Sequence, residues 1–336
     1  MIAVRAVIER LLNDVWYENT SLSWLLIPFS WPVGWVVNAR RSRAPDKRST
    51  PDGVTVIVVG GLTVGGTGKT PVLIALARWL INQGYRVGVV SRGYKGQRAS
   101  DLHRVTERDS AREVGDEALL IHRELGIPVF ICSDRKRALQ ELVALGDVAV
   151  ILSDDGLQHY NMPRDLEIVV LDAHRGLGNG RLLPAGPLRE PGNRLASVDW
   201  ILERNSPDAD RGFAYRPIRA KHLASGKVLS WQDCVEAWAQ QDVMAATGLG
   251  QPQQFFNMLR EQGLAPRELA LPDHEVLDLP SLNALTGDVI LMTSKDAIKL
   301  PDDADARLWV VEIAVTLPPS LLDKVTATLA EPGPEP

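Results

Sequence analysis

Six β-branched residues in a row, VTVIVV (54–59), run straight into GGLTVGGTGKT (60–70), and PVLIALARWLINQG (71–84) follows with helical spacing. The first run predicts a strand buried on both faces of a parallel sheet. Pro71 falls in the first turn of the predicted helix and Gly84 past its end, places that suit each residue. Strand, glycine-rich loop, Gly-Lys-Thr and helix in that order make a phosphate-binding loop. Its backbone, Thr63, Val64, Gly65, Gly66, Thr67 and Gly68, is positioned to cradle phosphate oxygens. Lys69 reaches the β- and γ-phosphates, and the Thr70 hydroxyl can ligate Mg²⁺. The strict pattern places glycine five residues before Gly68; Thr63 stands there.

A second apolar run, VAVILSDDGLQH (148–159), ends at Asp154 and Asp155. An acid at the end of a buried strand is where such enzymes hold Mg²⁺, so one of the pair is expected to ligate it directly or through water. Further apolar runs at 86–93, 128–132, 166–172 and 198–203, with helical stretches between several of them, complete an α/β pattern. The expected fold is a P-loop NTPase-type, doubly wound, mostly parallel sheet over residues 51–205, with ligands beyond the strands' carboxyl ends. A polar stretch around RNSPDADRG marks a linker over 206–222. Residues 223–330 then read as a smaller α/β unit that closes over the nucleotide.

Residues 1–50 differ chemically from the rest. They hold four of the nine tryptophans and a net charge of +3 within a chain of net −5. Between Glu18 and Arg40 lie 21 uncharged residues, followed by the basic RRSRAPDKR (40–48). The stretch is long enough to span a bilayer, but Pro28 and Pro32 interrupt it, so a continuous helix across them is not expected. Tryptophan at the headgroup level and a basic flank point to a peripheral, monotopic segment against an anionic membrane surface. The net negative charge gives no sign of a nucleic-acid partner. Two cysteines, Cys132 and Cys234, make neither a disulfide scaffold nor a CxxC metal pair.

Two classes fit these residues: a kinase, and a membrane-associated switch ATPase. Some such switches carry an extra lysine before the loop's Gly-Gly; Val64 occupies that place and counts against them. A kinase also needs residues for the acceptor, which SRGYKG (91–96) or GDEALL (115–120) could supply.

The chain resembles the tetraacyldisaccharide 4′-kinases, lipid A pathway kinases of Gram-negative bacteria. The resemblance rests on TVGGTGKTP (63–71), SRGYK (91–95), GDE (115–117), DDGLQH (154–159), LLPAGPLREP (182–191), PDH (272–274) and SKDAIKL (294–300), in the family's order. It implies ATP and Mg²⁺ as cofactors and an acylated glucosamine disaccharide as acceptor. It also implies work at the cytoplasmic face of the inner membrane, with no obligate protein partner evident. Carried residue by residue, it makes Asp116 the general base, paired with His274. It places Arg189 near the phosphates and Glu190 near the metal, sets Tyr94 and Arg92 toward the substrate, and gives Lys295 and Asp296 to recognition of the base. Gly61, Ala118 and Glu275 depart from the family's common residues.

Overall fold

The computed structural model describes residues 11–18, 21–42, 50–98, 101–271, 282, 285–301 and 305–329. Two sheets organise them. The first runs β3-β4-β2-β5-β1-β6-β7-β8, built from β1 (Thr55–Gly60), β2 (Val87–Ser91), β3 (His103–Arg104), β4 (Val129–Ile131), β5 (Val150–Asp154), β6 (Leu166–Asp172), β7 (Trp200–Arg204) and β8 (Gly212–Phe213). Only the β3–β4 pairing is antiparallel. Alternate residues of β1 face two separate cores. Ile57 and Val59 pack with the helices Lys69–Asn82 and Asp116–Leu125, whereas Val56 and Val58 pack with the helix Arg135–Ala144. Helices on both faces explain why the central strands are apolar throughout instead of alternating.

The second sheet runs β10-β9-β14-β13-β11-β12. Its strands are β9 (Tyr215–His222), β10 (Val228–Ser230), β11 (Val243–Thr247), β12 (Arg267–Ala270), β13 (Val289–Thr293) and β14 (Leu308–Val315). Trp231, Cys234, Trp238, Phe255, Phe256 and Leu259, from the helices Trp231–Trp238 and Pro252–Glu261, cover one face.

Three expectations change. The segment 206–222 is not a plain linker: it holds β8 and β9. In β9 only Pro217 and Ala220 are buried, and its exposed arginines and lysine mask the strand in the sequence. The helix Pro319–Thr328, counted with the smaller unit, returns to the first sheet, where Leu321 and Val325 join the core. Its apolar spacing shows a buried face but not which core receives it.

Residues 22–42 form one continuous helix, Leu22–Ser42, through Pro28 and Pro32. The prolines are four apart, hence on one face, and both are exposed. Their rings project away from the protein body, and the carbonyls they deprive of partners lie on that same open side. The helix is long and apolar enough to cross a membrane, with a mean hydropathy of 1.2 over its best window. Its inward side touches Leu182 at Gly34 and makes several polar contacts. Ser30 Oγ donates to Leu182 O (2.8 Å) and accepts from Ala185 N (3.3 Å), and Arg181 Nη1 donates to Ser23 Oγ (2.6 Å). Trp24, Leu25, Phe29, Trp31 and Trp35 are all exposed.

Candidate active site

The phosphate loop and the acid pair leave neighbouring strands. β1 lies between β5 and β6, and Val59 stands opposite Asp154. Asp155 N donates to Val59 O (2.9 Å) from a left-handed backbone, φ 49°, that aspartate tolerates better than most residues. Its carboxylate lies 3.6 Å from Lys69 Nζ and 2.6 Å from Arg189 Nη1. Burial opposes its ionisation, but these two cations outweigh it and hold the group down at about 2. Asp154 is the opposite case. Burial, then the neighbouring Glu117 and Asp155 carboxylates, push it up to about 7. Ser91 Oγ donates to Asp154 Oδ2 (3.1 Å), while Oδ1 has no hydrogen-bond partner among the described residues. Beneath it the buried Arg135 donates to Asp154 O (3.1 Å) and Cys132 O (2.9 Å).

Residues 182–191 pass behind the loop and are sewn to it. Val64 N donates to Pro187 O (2.9 Å), Arg189 N donates to Leu62 O (2.7 Å), and Thr63 bridges to Leu188. That bridge keeps Thr63 in strand-like backbone, which explains why no glycine is needed there. Arg189 points to Asp155. Glu190 is buried and accepts from Gln158 Nε2 (2.8 Å) and the Tyr160 hydroxyl, with Arg194 Nε at 3.4 Å. Glu190, expected near the metal, is thus a buried carboxylate engaged by two hydrogen-bond donors and one arginine. It holds Gln158, which also donates to Gly61 O (3.2 Å) and lies 3.5 Å from Arg189 Nη1.

Asp116 begins the helix Asp116–Leu125 and is buried. Gly115 before it has φ 89°, and a Cβ there would meet Tyr94 O at 2.8 Å, so the SRGYK and GDE loops approach as only glycine allows. Tyr94 and Arg92 are exposed on that border. Burial, then the charges of Arg135 and Arg92, force His159 down to about 4, so its imidazole is neutral at physiological pH.

The second unit meets this edge through two lysines. Lys295 Nζ lies 2.9 Å from Glu117 Oε1 and 4.0 Å from Asp116 Oδ2, and Lys299 Nζ lies 3.8 Å from Asp116 Oδ2. Asp296 is buried in its own unit. It accepts from Thr247 Oγ1 and Thr293 Oγ1 (both 2.7 Å) and from Gly248 N (3.2 Å). Lys295 thus bridges the units, and Asp296 fixes the end of β11. His274 lies outside the described residues. Four neighbours of the site escaped the sequence reading. Gln158 and Lys299 lay inside the quoted strings DDGLQH and SKDAIKL, Glu117 was overshadowed by Asp116, and Arg135 gave no signal.

The donors around Asp154 fit a hard cation. Thr70, Asp154 and Asp155 offer oxygens, and an uncompensated buried carboxylate oxygen suits an ion otherwise held by phosphates. Loop, acid pair and cations arranged along two adjacent strand ends belong to the P-loop class of nucleotide enzymes.

Comparison with known proteins narrows the class. The LpxK family model, described as tetraacyldisaccharide-1-P 4′-kinase, matches residues 22–330. The tetraacyldisaccharide 4′-kinase of Alcanivorax borkumensis is 41% identical over 313 residues, covering 92% of this chain and 94% of the relative. That of Thiobacillus denitrificans is 42% identical over 316 residues, covering 90% and 94%. The crystal structure of LpxK from Aquifex aeolicus in complex with ATP superposes with a TM-score of 0.74 at 28% identity, covering 92% of this chain and all of that one. The chain belongs to the tetraacyldisaccharide-1-P 4′-kinase family, and it is a kinase.

Proposed function

We propose that the chain transfers the γ-phosphate of ATP to the 4′-hydroxyl of tetraacyldisaccharide 1-phosphate, forming lipid IVA in lipid A biosynthesis. The observation that carries this reading is the convergence of Lys69 and Arg189 on Asp155 at the ends of β1 and β5. Lys69 and the loop amides bind the phosphates. Arg189, held behind by Leu62 and beside by Gln158, meets the charge that develops on the transferring group. Thr70, Asp154 and Asp155 would hold Mg²⁺, which would neutralise phosphate charge. Asp116 orients the acceptor hydroxyl and takes its proton, with His274 as its partner. A loose phosphoryl transition state asks more of position than of base strength. Lys295 and Lys299 on the Asp116–Glu117 edge support a smaller unit that closes over the nucleotide.

The acceptor explains the outward-facing helix. Each buried CH₂ is worth about 0.8 kcal/mol, so four acyl chains stay in the bilayer and the enzyme must come to them. We place the helix Leu22–Ser42 in the cytoplasmic face of the inner membrane, with the exposed Arg40 of its basic last turn toward anionic lipid. Labelled ATP incubated with the chain, with and without the acylated disaccharide, tests the reading. Label on the lipid is the expected result. Hydrolysis indifferent to the disaccharide would instead indicate a switch ATPase.

A further inference from the structure

The phosphate loop has a second side. Its amides are used toward phosphate, but two of its carbonyls are taken by residues of the smaller unit, the outer one, built on the second sheet. Tyr215, the first residue of β9, donates its hydroxyl to Gly68 O (3.2 Å). Gln251, at the start of the helix Pro252–Glu261, donates through Nε2 to Gly66 O (3.4 Å). The fit at Gly68 is close. It holds φ 94°, and a Cβ there would overlap the Tyr215 hydroxyl.

Both donors are anchored from below. Arg204, buried at the end of β7, pairs with Asp172 at the end of β6, donates to Gln254 and lies 3.5 Å from Gln251 Oε1. Gln254 Nε2 donates to Asp172 Oδ2 (2.8 Å), and the Arg204 guanidinium sits 5.5 Å from the Tyr215 ring. Polar groups of the first sheet and of the outer unit thus form one network whose free ends are two donors on the loop.

We propose that Tyr215 and Gln251 are positioning residues for ATP: by holding the Gly68 and Gly66 carbonyls, they keep the loop amides and Lys69 arranged for phosphate. Phosphate affinity then depends on how the outer unit is docked. This rests on the reading of residues 60–70 as the nucleotide loop.

The test is steady-state kinetics of the full chain with ATP and the acylated disaccharide, on wild type, Y215F, Y215F/Q251A and K69A. Y215F keeps the ring that packs 5.8 Å from Phe213 and removes only the hydroxyl, with its bonds to Gly68 O and Arg204. One neutral hydrogen bond corresponds to a rise in the KM for ATP of about 2- to 10-fold, with a larger rise in the double variant. The KM for the disaccharide, kcat at saturating ATP and the unfolding midpoint of Y215F stay near wild type. An unchanged KM for ATP in both variants overturns the proposal. So does a matched deterioration of both KM values and kcat, which would mark a general structural defect. K69A separates this from the underlying reading. Normal ATP kinetics in K69A would refute the nucleotide loop itself, whereas a loss in K69A with none in Y215F or the double variant refutes only the positioning role.

Discussion

Two apolar helices of this molecule make opposite use of similar residues. The helix Lys69–Asn82 buries Val72, Leu73, Leu76, Ala77 and Leu80 against the first sheet. The helix Leu22–Ser42 buries Ser23 and Ser30 and leaves Trp31 71% and Trp35 73% exposed. Burial of a large apolar side chain contributes about 1.5–3 kcal/mol, so a helix facing outward by its aromatic side gives up much stabilisation unless another apolar medium takes that side. Both helices are apolar, and their disposition decides their use. One builds the support of the phosphate loop, and the other presents a face suited to the acyl and headgroup boundary of a bilayer.

The largest expected effect falls on the first helix alone. Lys69→Ala removes the cation at its first turn and lowers kcat/KM by about 10²–10³-fold, by analogy with the loss of one preorganised donor. Binding to anionic vesicles stays as in wild type; a joint loss would break the separation of the two regions. Asp116→Ala lowers turnover by about 10²-fold, the scale of general acid–base assistance, with nucleotide affinity retained in equilibrium titration. Equal losses in turnover and affinity would reject its role toward the acceptor.

Acid distinguishes the regions by a smaller effect. Burial opposes ionisation of Glu167 and Asp172, but Arg194 with Arg164, and Arg204, outweigh it and hold both carboxyls below their ordinary values. Their contribution to stability is complete above the unfolded-state values and is lost as the pH falls through the lower folded ones. The unfolding midpoint should therefore be insensitive to these groups near neutrality and drop below about pH 4. Glu167→Gln should flatten that slope. The smallest effect is on the docked side of the outer helix. Ser30→Ala removes two hydrogen bonds to residues 182–185 and costs about 1–2 kcal/mol of unfolding free energy, read in denaturant.

The buried half of this comparison was legible in the sequence and the outward half only partly. VTVIVV, the glycine loop and Asp154–Asp155 could be placed because a parallel strand buried on both faces leaves an unmistakable apolar run. β9 was hidden because its exposed face carries Arg216, Arg219 and Lys221. Pro28 and Pro32 suggested a break, since local rules do not know that both would face away from the protein. The resemblance places Glu190 near a metal beside Arg189, but which way either side chain turns is not written in LREP. Successive residues of an extended segment point to opposite sides, and Glu190 turns inward to Tyr160 and Gln158. Tyr215 and Gln251 could not be found at all. Their partners are backbone carbonyls more than 140 residues away in sequence.

The central claim is that the outward helix serves the lipid acceptor while the phosphate loop serves ATP. It is tested most directly by the initial rate of label transfer from ATP to tetraacyldisaccharide 1-phosphate in anionic vesicles, for wild type and Trp31→Glu/Trp35→Glu. The account predicts a rate at least about tenfold lower in the variant, from lost burial of two aromatic side chains, with the KM for ATP unchanged. An unchanged rate, or a KM for ATP that rises as far as the rate falls, would contradict it.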